Sequence, residues 1–451
     1  MNRWVYSTLL YVLSPALLGW MTLRARRAGG EWGVWSAPRF GCYRGESTPL
    51  QGVTGRIWIH AVSLGETRAA LPLIQALLNQ GHRILLTHMT VTGKVEGQRC
   101  FQKELESGQL VQQWLPYDFP GSTRRFMCHY QPCVAVLIER EVWPNLVRAA
   151  RCEKIPLVLA SARFSDRSLS ASLRAGSVMR EAYGAFTAVF AQTLQDAQRL
   201  ELAGAPAPSV SGNFKFDVHV PQDLVERGRI FKQQLGRPVI AVASTREGEE
   251  SAFIQAFKQS ISRSSTDSAA CNPLFLLIPR HPQRFAWVAE QLDQSGIRWI
   301  RRSTILALGD NSSSALEACR SVSVVLGDTL GEMPWYYAVA SVAVVGGSFA
   351  PLGGQNFIEA CAVGTPVIFG PHTFNFTQAA VDAIDAGAAV RVGNAQEAIE
   401  RACAQLKSPQ ELLRMSEAGK NWVFYHTGSV QRVLTALSNL GAQDTSHEHH
   451  S

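Results

Sequence analysis

Three short motifs in the first half of the chain place acidic and basic side chains where an apolar run ends. Glu66 lies in the segment HAVSLGE, Glu139 in IEREVWPN and Lys215 in GNFKFD. A carboxylate in a partly apolar loop has a raised pKa and can act as a general base. The spacing of Ser63 and Glu66 also fits a capping box at a helix start, so this segment leaves both roles open for Glu66.

The alternatives for the other candidates are ordinary surface roles. Glu139 could belong to a solvated turn, although the apolar strand before it would deliver it to the edge of a sheet, which favours function. Lys215 could simply be solvated near a linker. Thr90, Thr92 and Gly93, in the segment THMTVTG, could hold an anion at a helix start or form a plain N-cap.

The second half of the chain has the features expected of a phosphate site. Arg280 follows the apolar run LFLLIP, where its guanidinium could clamp a phosphate. Glycine pairs at 346–347 and 353–354 precede a helix start at Asn356 and would give backbone amides access to an anion. The spacing is not GxGxxG, so a dinucleotide fingerprint is a poor match. Glu359 could accept hydrogen bonds from ribose hydroxyls or form a capping box with Asn356.

These motifs need strands to carry them, and short apolar runs alternate with amphipathic stretches along the chain. The alternation predicts parallel sheets with helices on both faces, in two sets of about five strands. In such sheets ligands bind beyond the carboxyl ends of the strands, where the motifs lie. The predicted strands are Ile57–Val62, Arg83–His88, Val134–Ile138, Leu157–Ala160, Ala188–Ala191, Val239–Ala243, Leu274–Ile278, Val322–Leu326, Val342–Val345 and Pro366–Phe369.

Composition agrees with two globular domains of ordinary size. Hydrophobic residues make up 46% and charged residues 18%, which is typical of soluble protein and argues against a bundle of membrane spans. The nine cysteines contain no CxxC, which indicates reduced thiols in cytoplasm. The predicted organisation is an anchor at 1–27, a Rossmann-like domain at 35–220, a second at 221–435 and a flexible tail at 436–451. The domain break is expected near Phe216–Gln233.

The N-terminal segment is predicted to anchor the chain in a membrane. Residues Trp4 to Leu23 carry no charge, and arginines follow at once. A run of this length can span a bilayer, and the basic cluster favours the cytoplasmic side. A cleaved signal peptide and a helix lying in the interface are the alternatives, and Ser7, Thr8, Ser14 and Pro15 keep the second one open. The net charge of +7 suits anionic lipids or an anionic substrate, and no motif indicates nucleic acid.

Eleven motifs, in order from about residue 40 to 430, together resemble one family. The chain is similar to the Kdo transferases, the 3-deoxy-D-manno-octulosonic acid transferases of glycosyltransferase family 30. The motifs are HAVSLGE, the threonine loop ending in TG, LPYDFPG, IEREVWPN, ASARFSDRS, GNFKFD, ASTREGEE, IPRHPQRF, LGDTLGE, VGGSFAPLGGQNFIEA and FGPHTFNF.

The resemblance implies a GT-B fold, with two Rossmann-like domains facing a cleft. It implies transfer of Kdo from CMP-β-Kdo to lipid IVA, with inversion and without a metal or other cofactor, at the cytoplasmic side of the inner membrane. Glu66 would be the general base, and Glu139 and Lys215 would stabilise the transition state. The family's CMP site corresponds here to Pro279, Arg280, Leu330, Gly331, Glu332, Asn356 and Glu359.

The motifs depart from the family pattern at three positions without losing an expected catalytic group. Arg140 replaces a common threonine, Arg246 a common histidine and Gln355 a frequent histidine. Two other functions stay open: a sugar-nucleotide epimerase of the same fold, and a non-catalytic, membrane-tethered glycan-binding module.

Overall fold

The computed structural model describes residues 1–27, 30, 32–43, 55–218, 220–266 and 272–447. The chain divides into two compact units. The first unit is Met1–Asp217 together with the segment from His426 onward, and the second unit is Val218–Tyr425. Of the nine cysteines, the eight that the structure describes are free thiols, and Cys271 lies outside the described residues.

The first unit is built on a seven-stranded parallel sheet. The strands occur in the order β3-β2-β1-β4-β5-β6-β7. They are β1 (Ile57–His60), β2 (Ile84–His88), β3 (Leu110–Trp114), β4 (Val134–Ile138), β5 (Leu157–Ala162), β6 (Ala188–Ala191) and β7 (Ser209–Val210).

Helices cover both faces of this sheet. Trp58 belongs to the apolar cluster on one face, whereas its neighbours Ile57 and Ile59 belong to the cluster on the other, so the central strand is buried on both sides. The helices are α1 (Arg3–Arg27), α2 (Leu64–Asn79), α3 (Val91–Cys100), α4 (Gln102–Glu106), α5 (Pro120–Tyr130), α6 (Pro144–Cys152), α7 (Asp166–Ala175), α8 (Ser177–Tyr183) and α9 (Leu194–Leu202).

The second unit repeats this architecture. Its parallel sheet has the order β10-β11-β9-β8-β12-β13-β14. The strands are β8 (Val239–Thr245), β9 (Leu274–Pro279), β10 (Trp299–Arg301), β11 (Val324–Leu326), β12 (Val342–Val345), β13 (Val367–Phe369) and β14 (Ala389–Arg391). The helices are α10 (Gln222–Leu235), α11 (Glu249–Thr266), α12 (Phe285–Ser295), α13 (Arg302–Leu308), α14 (Ser313–Ser321), α15 (Met333–Val339), α16 (Ile358–Val363), α17 (Thr377–Asp385), α18 (Ala395–Leu406) and α19 (Pro409–His426).

Short 3-10 turns complete the two units, at Ala37–Phe40, Phe214–Phe216, Pro282–Arg284 and Phe374–Phe376. In each sheet the direction of strand succession reverses between two central strands. The reversal falls between β1 and β4 in the first unit and between β8 and β12 in the second. Ligands of open parallel sheets bind at such switch points, beyond the carboxyl ends of the strands. The loops after these four strands are therefore where side chains can meet a substrate.

The expectation of about five strands in each sheet was too low. Each sheet has two more strands than predicted, namely β3 and β7 in the first unit and β10 and β14 in the second. Their sequences are LVQQW, SV, WIR and AVR, which are short or partly polar. All four are edge strands, so they lack the apolar signature of a buried strand.

The C-terminal segment differs from the expected tail and domain boundary. Helix α20 spans Ser429–His447, and residues 448–451 lie outside the described part. Val430, Val433, Leu434 and Leu437 form an apolar face that packs into a core cluster of the first unit. The Asp217 carboxylate accepts the backbone N–H groups of Gly428 at 2.5 Å and Val430 at 2.6 Å, which fixes the start of this helix. Residues 426–435 therefore pack with the first unit rather than the second.

Helix α1 lies against the first unit. Its length and composition, with a mean hydropathy of 1.3 over an 18-residue window, would allow it to cross a membrane. It is the one such helix among the residues described. Ser7, Leu18 and Ala25 are buried, and most of the other apolar residues of α1 are exposed.

Candidate active site

Glu66 lies in the first turn of α2, after the short loop that follows the central strand β1, at the switch point of the first sheet. Its Oε2 accepts the N–H of Val62 at 2.6 Å, and the Ser63 hydroxyl accepts the N–H of Glu66 at 3.4 Å. The Ser63 half of the capping box is therefore formed, whereas the Glu66 carboxylate bonds the N–H of the residue before the N-cap. Burial raises the pKa of Glu66 to about 8, and repulsion from Glu141 and Glu139 adds to the rise. The hydrogen bonds that the carboxylate accepts from the Val62 N–H and, at 3.4 Å, from the Ser63 hydroxyl oppose it. The same carboxylate thus caps α2 and has a proton affinity that suits a general base.

Residues at the start of α3 hydrogen-bond to the loop that precedes Glu66. The Val62 carbonyl accepts the Thr90 hydroxyl at 3.0 Å, and the same hydroxyl accepts the N–H of Gly93 at 3.2 Å. A Cβ on Gly93 would lie 3.0 Å from the Val62 oxygen, so this close approach favours glycine. Thr90 therefore forms the N-cap. Thr92 is exposed beside it, with its hydroxyl 3.3 Å from that of Thr90.

His88 also supports this loop, a role that could not be predicted from the sequence. Its Nδ1 lies 2.9 Å from the carbonyl oxygen of Ala61, the residue before Val62. Burial lowers the pKa of His88 to about 4, so the imidazole is neutral and donates this hydrogen bond from Nδ1. His88 positions the backbone that in turn positions Glu66.

Glu139 and Lys215 lie close to each other at the same end of the first sheet as Glu66, beyond the carboxyl ends of the strands. The Lys215 Nζ lies 3.7 Å from Glu139 Oε1, and both side chains are largely buried. Glu139 has a φ of 61°, a left-handed conformation that costs a non-glycine residue of order 1–3 kcal/mol and is concentrated at functional sites. The predicted trio of Glu66, Glu139 and Lys215 is therefore brought together in the first unit.

Glu141 also belongs to this group, although we did not predict it as a site residue. Its carboxylate accepts the indole N–H of Trp143 at 3.0 Å. Burial raises the pKa of Glu141, and the Trp143 hydrogen bond opposes the rise. Because Glu141 raises the pKa of Glu66 more than Glu139 does, it tunes the candidate base directly.

Asp118, in the LPYDFPG motif, fixes the helix that follows the Glu139 loop. Its carboxylate accepts the N–H of Asn145 at 3.1 Å and that of Leu146 at 2.7 Å, at the start of α6. It also accepts the Tyr6 hydroxyl of α1 at 2.9 Å. Burial raises the pKa of Asp118 to about 7, and these three hydrogen bonds oppose the rise. The motif therefore has a structural role in shaping the site.

The candidate phosphate residues lie in the second unit. Arg280 follows β9, whose last residue is the buried Pro279, and its backbone N–H bonds the Thr245 carbonyl at 2.9 Å. Glu359 lies in the first turn of α16 and accepts a hydrogen bond from the Asn356 side-chain amide at 3.0 Å. Burial raises the pKa of Glu359, whereas the Asn356 hydrogen bond and the positive charge of Arg280 lower it. These three polar groups therefore interact, at the carboxyl ends of β9 and β12.

The glycine-rich loop after β12 is organised by Glu249, which we had not predicted. Glu249 is only 2% exposed, and its carboxylate accepts the N–H groups of Gly347 at 2.7 Å, Phe349 at 2.9 Å and Ala350 at 3.2 Å. It also caps its own helix by accepting the N–H of Arg246 at 2.9 Å. The sequence around Glu249 indicates only an ordinary residue in the first turn of a helix, because the loop that it binds lies about a hundred residues away in sequence.

The turn formed by Leu330, Gly331 and Glu332 offers backbone groups rather than a carboxylate. Glu332 is bound to the fully buried Arg302 at 2.8 Å, and it also accepts the Thr329 hydroxyl. Leu330 is 72% exposed, and Gly331 has a φ of 80° with open space around it. A ligand at this turn would contact amides and carbonyls, while the Glu332 side chain holds the turn in place.

Known proteins match this chain along nearly its whole length. Residues 36–218 match the family model of the 3-deoxy-D-manno-octulosonic-acid transferases (kdotransferases). A 3-deoxy-D-manno-octulosonic acid transferase of Bordetella pertussis is 50% identical over 97% of this chain and 99% of its own. The enzyme of the same name from Haemophilus influenzae is 31% identical over 97% of this chain and 98% of its own.

A solved glycosyltransferase from Rickettsia africae ESF-5 covers 86% of this chain with a TM-score of 0.51 at 14% identity, a likeness that shows the fold alone. It confirms the predicted α/β, GT-B-like class. The two parallel sheets, the sites at their switch points and the full-length relatives lead to one assignment. The chain belongs to the 3-deoxy-D-manno-octulosonic acid transferases, glycosyltransferases of lipopolysaccharide biosynthesis.

Proposed function

We propose that this enzyme transfers Kdo from CMP-β-Kdo to lipid IVA with inversion, and that it needs neither a metal nor another cofactor. The observation that carries the proposal is the environment of Glu66. A carboxylate whose pKa is raised to about 8, next to the Glu139–Lys215 pair, is suited to take a proton from a sugar hydroxyl near neutral pH.

The reaction is a single displacement. The acceptor hydroxyl oxygen attacks the anomeric carbon of Kdo, and its proton passes to the Glu66 carboxylate. The bond from that carbon to the phosphate oxygen breaks, and CMP leaves with the electron pair. Glu139 would stabilise positive charge on the sugar ring in the transition state, as carboxylates do in glycosyl transfer. Lys215 would offset the charge of Glu139 and of the Kdo carboxylate.

The second unit would hold CMP. Arg280 would bind the phosphate and Glu359 the ribose hydroxyls, with Asn356 fixing the Glu359 carboxylate. Pro279 and the turn of Leu330, Gly331 and Glu332 would line the nucleotide site. Thr90, Thr92 and Gly93 would contact Kdo or an anionic group of the acceptor from the first unit.

The chemistry of the leaving group supports the metal-free mechanism, and helix α1 supports the membrane location. CMP carries a single phosphate, which one guanidinium and backbone amides can neutralise. Helix α1 would keep the chain at the cytoplasmic face of the inner membrane, in contact with lipids and close to lipid IVA.

The test is a reaction of the purified enzyme with lipid IVA and CMP-Kdo in detergent, with and without EDTA, followed by mass spectrometry and by NMR of the new anomeric centre. Lipid IVA gaining the mass of Kdo, with inverted configuration and no loss in EDTA, is the expected result. Conversion of a UDP-sugar without any acceptor would indicate an epimerase instead. Binding of both substrates without turnover would indicate a non-catalytic module.

A further inference from the structure

The face of α1 that packs on the first unit is less apolar than the face that it leaves exposed. The residues that face the first unit recur every three or four positions and include three of the four serine and threonine residues of the apolar run. The outward face is apolar, with Trp4 and Val12 at 74% and 69% exposure. The inward stripe includes Ser7, Leu10, Ser14, Leu18, Thr22 and Ala25, and Tyr6 lies beside it.

This contact runs along the entire helix. At one end the Met1 carbonyl accepts the N–H of Val178 at 3.1 Å, and near the other the Trp35 indole donates to the Thr22 hydroxyl at 2.9 Å. Between them the Ser7 hydroxyl donates to Asn145 at 3.1 Å. A helix of this length measures about 37 Å, so α1 is attached over a distance greater than the hydrocarbon thickness of a bilayer.

An upright helix is incompatible with these contacts. Crossing the bilayer would carry the elements packed on α1 into hydrocarbon, including α6 with its exposed Arg148 and Arg151 and α8 with its exposed Arg180. Charged groups at that depth cost several kcal/mol each. The alternative of releasing α1 would break the Tyr6–Asp118 and Ser7–Asn145 hydrogen bonds and expose the buried Asp118.

We propose that α1 lies in the plane of the membrane as a fixed part of the first unit, with its apolar face inserted into one leaflet. The partner is an anionic lipid surface. Arg3 at one end and Arg24, Arg26 and Arg27 at the other would reach the head groups, while the outward tryptophans sit at the interface. This deepens the proposed membrane location, which it presupposes, and it replaces a spanning anchor with a one-leaflet anchor.

The geometry also joins the anchor to the site. Asp118 binds Tyr6 of α1 with one oxygen and the N-terminus of α6 with both, and α6 begins directly after the loop of Glu139 and Glu141. A helix fixed in this way sets the height of that loop above the lipid surface. A flexible tether would leave that height undefined.

Depth measurements distinguish the two anchors. Val5, Val12 and Leu23 are exposed and lie on one side of α1, with about 27 Å of helix between the first and the last. Each is changed to cysteine in the full-length protein, after replacement of the exposed Cys42, Cys128, Cys133 and Cys152 by serine. A fluorophore on each cysteine is then quenched by nitroxides at shallow or deep positions in vesicles of phosphatidylethanolamine and phosphatidylglycerol.

An in-plane helix gives three equal depths near the boundary of head groups and acyl chains, about 5–10 Å below the surface. Each labelled protein in vesicles without nitroxide lipid serves as the unquenched control. Graded depths, with Val12 deepest, would show that α1 spans the bilayer and overturn the inference. Unquenched probes on a soluble oligomer would overturn it too, because a second copy would then cover the apolar face.

The readout is independent of the proposed function. Each labelled variant is also assayed for Kdo transfer to lipid IVA in detergent, where no bilayer is needed. Equal depths without product would support the in-plane helix and contradict the proposed function. Product together with graded depths would support the proposed function and contradict the in-plane helix.

Discussion

The Glu66 carboxylate accepts the backbone N–H of Val62 at 2.6 Å, four residues earlier in the chain. The same arrangement recurs at Glu397, whose Oε2 accepts the N–H of Gly393 at 2.7 Å at the start of α18. The two glutamates have the same capping geometry, but Glu397 is exposed, whereas Glu66 is half-buried and close to other acids. Glu397 therefore serves as a control that distinguishes the capping role of Glu66 from its proposed role as a general base.

Glu66→Gln should reduce turnover by roughly 10² or more, because glutamine retains the size and the capping oxygen but cannot accept the proton. Glu397→Gln makes the same chemical change at an ordinary cap and should leave turnover within a few-fold of wild type. The measurement is the rate of Kdo transfer at saturating substrates, with thermal unfolding as a check on folding. Equal effects of the two substitutions would mean that Glu66 only caps α2.

The pH profile should report the raised pKa of Glu66. Only the ionised carboxylate can accept a proton, so kcat/KM should rise with pH and level off above the pKa of about 8. Glu141→Gln removes the largest repulsive charge near Glu66, which lowers that pKa and should move the rising limb to lower pH. Glu153→Gln, at the exposed end of α6, is the control. A rising limb that stays in place in Glu141→Gln would disprove the coupling.

Arg280→Ala should weaken CMP binding by about 1.5–3 kcal/mol, the range for a charge-assisted hydrogen bond. Isothermal calorimetry with CMP measures this directly. Arg263→Ala removes a guanidinium from an exposed ion pair with Glu400 and should leave CMP affinity unchanged. Unchanged affinity in Arg280→Ala would place the phosphate elsewhere.

Glu249→Gln should weaken CMP binding without removing any predicted ligand contact. Glutamine has one acceptor oxygen, so some of the four N–H groups that Glu249 binds would lose their partner, at about 1–3 kcal/mol for each buried donor. Both the unfolding temperature and CMP affinity should fall. Glu247→Gln, two residues earlier and 87% exposed at its side chain, should change neither. A stable variant with normal CMP affinity would show that the loop does not depend on Glu249.

Tyr6→Phe should destabilise the first unit by about 0.5–1.5 kcal/mol, because Asp118 loses one of its three donors. Urea unfolding in detergent, followed by tryptophan fluorescence, measures the change. Tyr11→Phe is a matched control on the same helix, since the ring that stacks on Phe119 at 4.9 Å is preserved. Equal stability of the two variants would mean that α1 is not joined to the unit through Asp118.

The central parts of both sheets could be predicted from the sequence, and their edges could not. Strands β1, β4, β8 and β12 are apolar because helices cover both of their faces, so they have a clear signal. Residues directly after these strands were therefore good site candidates. Edge strands such as β3 are stabilised by pairing with a neighbour, which a local sequence pattern does not show.

The site residues that escaped prediction act over long sequence distances. Glu249 binds a loop about a hundred residues later, and Asp118 binds Tyr6 across 112 residues. Each has a plausible local role, as a helix-start residue or part of a turn, and nothing in its neighbours reveals the distant partner. The C-terminal segment escaped for the same reason, since Asp217, which caps α20, lies 211 residues before Gly428.

The position of α20 has a consequence for synthesis of the protein. Val433 is fully buried in a core cluster of the first unit that also contains Phe214, yet more than two hundred residues separate the two in sequence. The second unit is continuous in sequence and can complete its core while the chain is still on the ribosome. The first unit must wait with an exposed apolar surface until translation passes Leu437. Synthesis of the first unit thus begins first, but its folding is completed last. It is therefore the part of the nascent chain that most needs protection by chaperones.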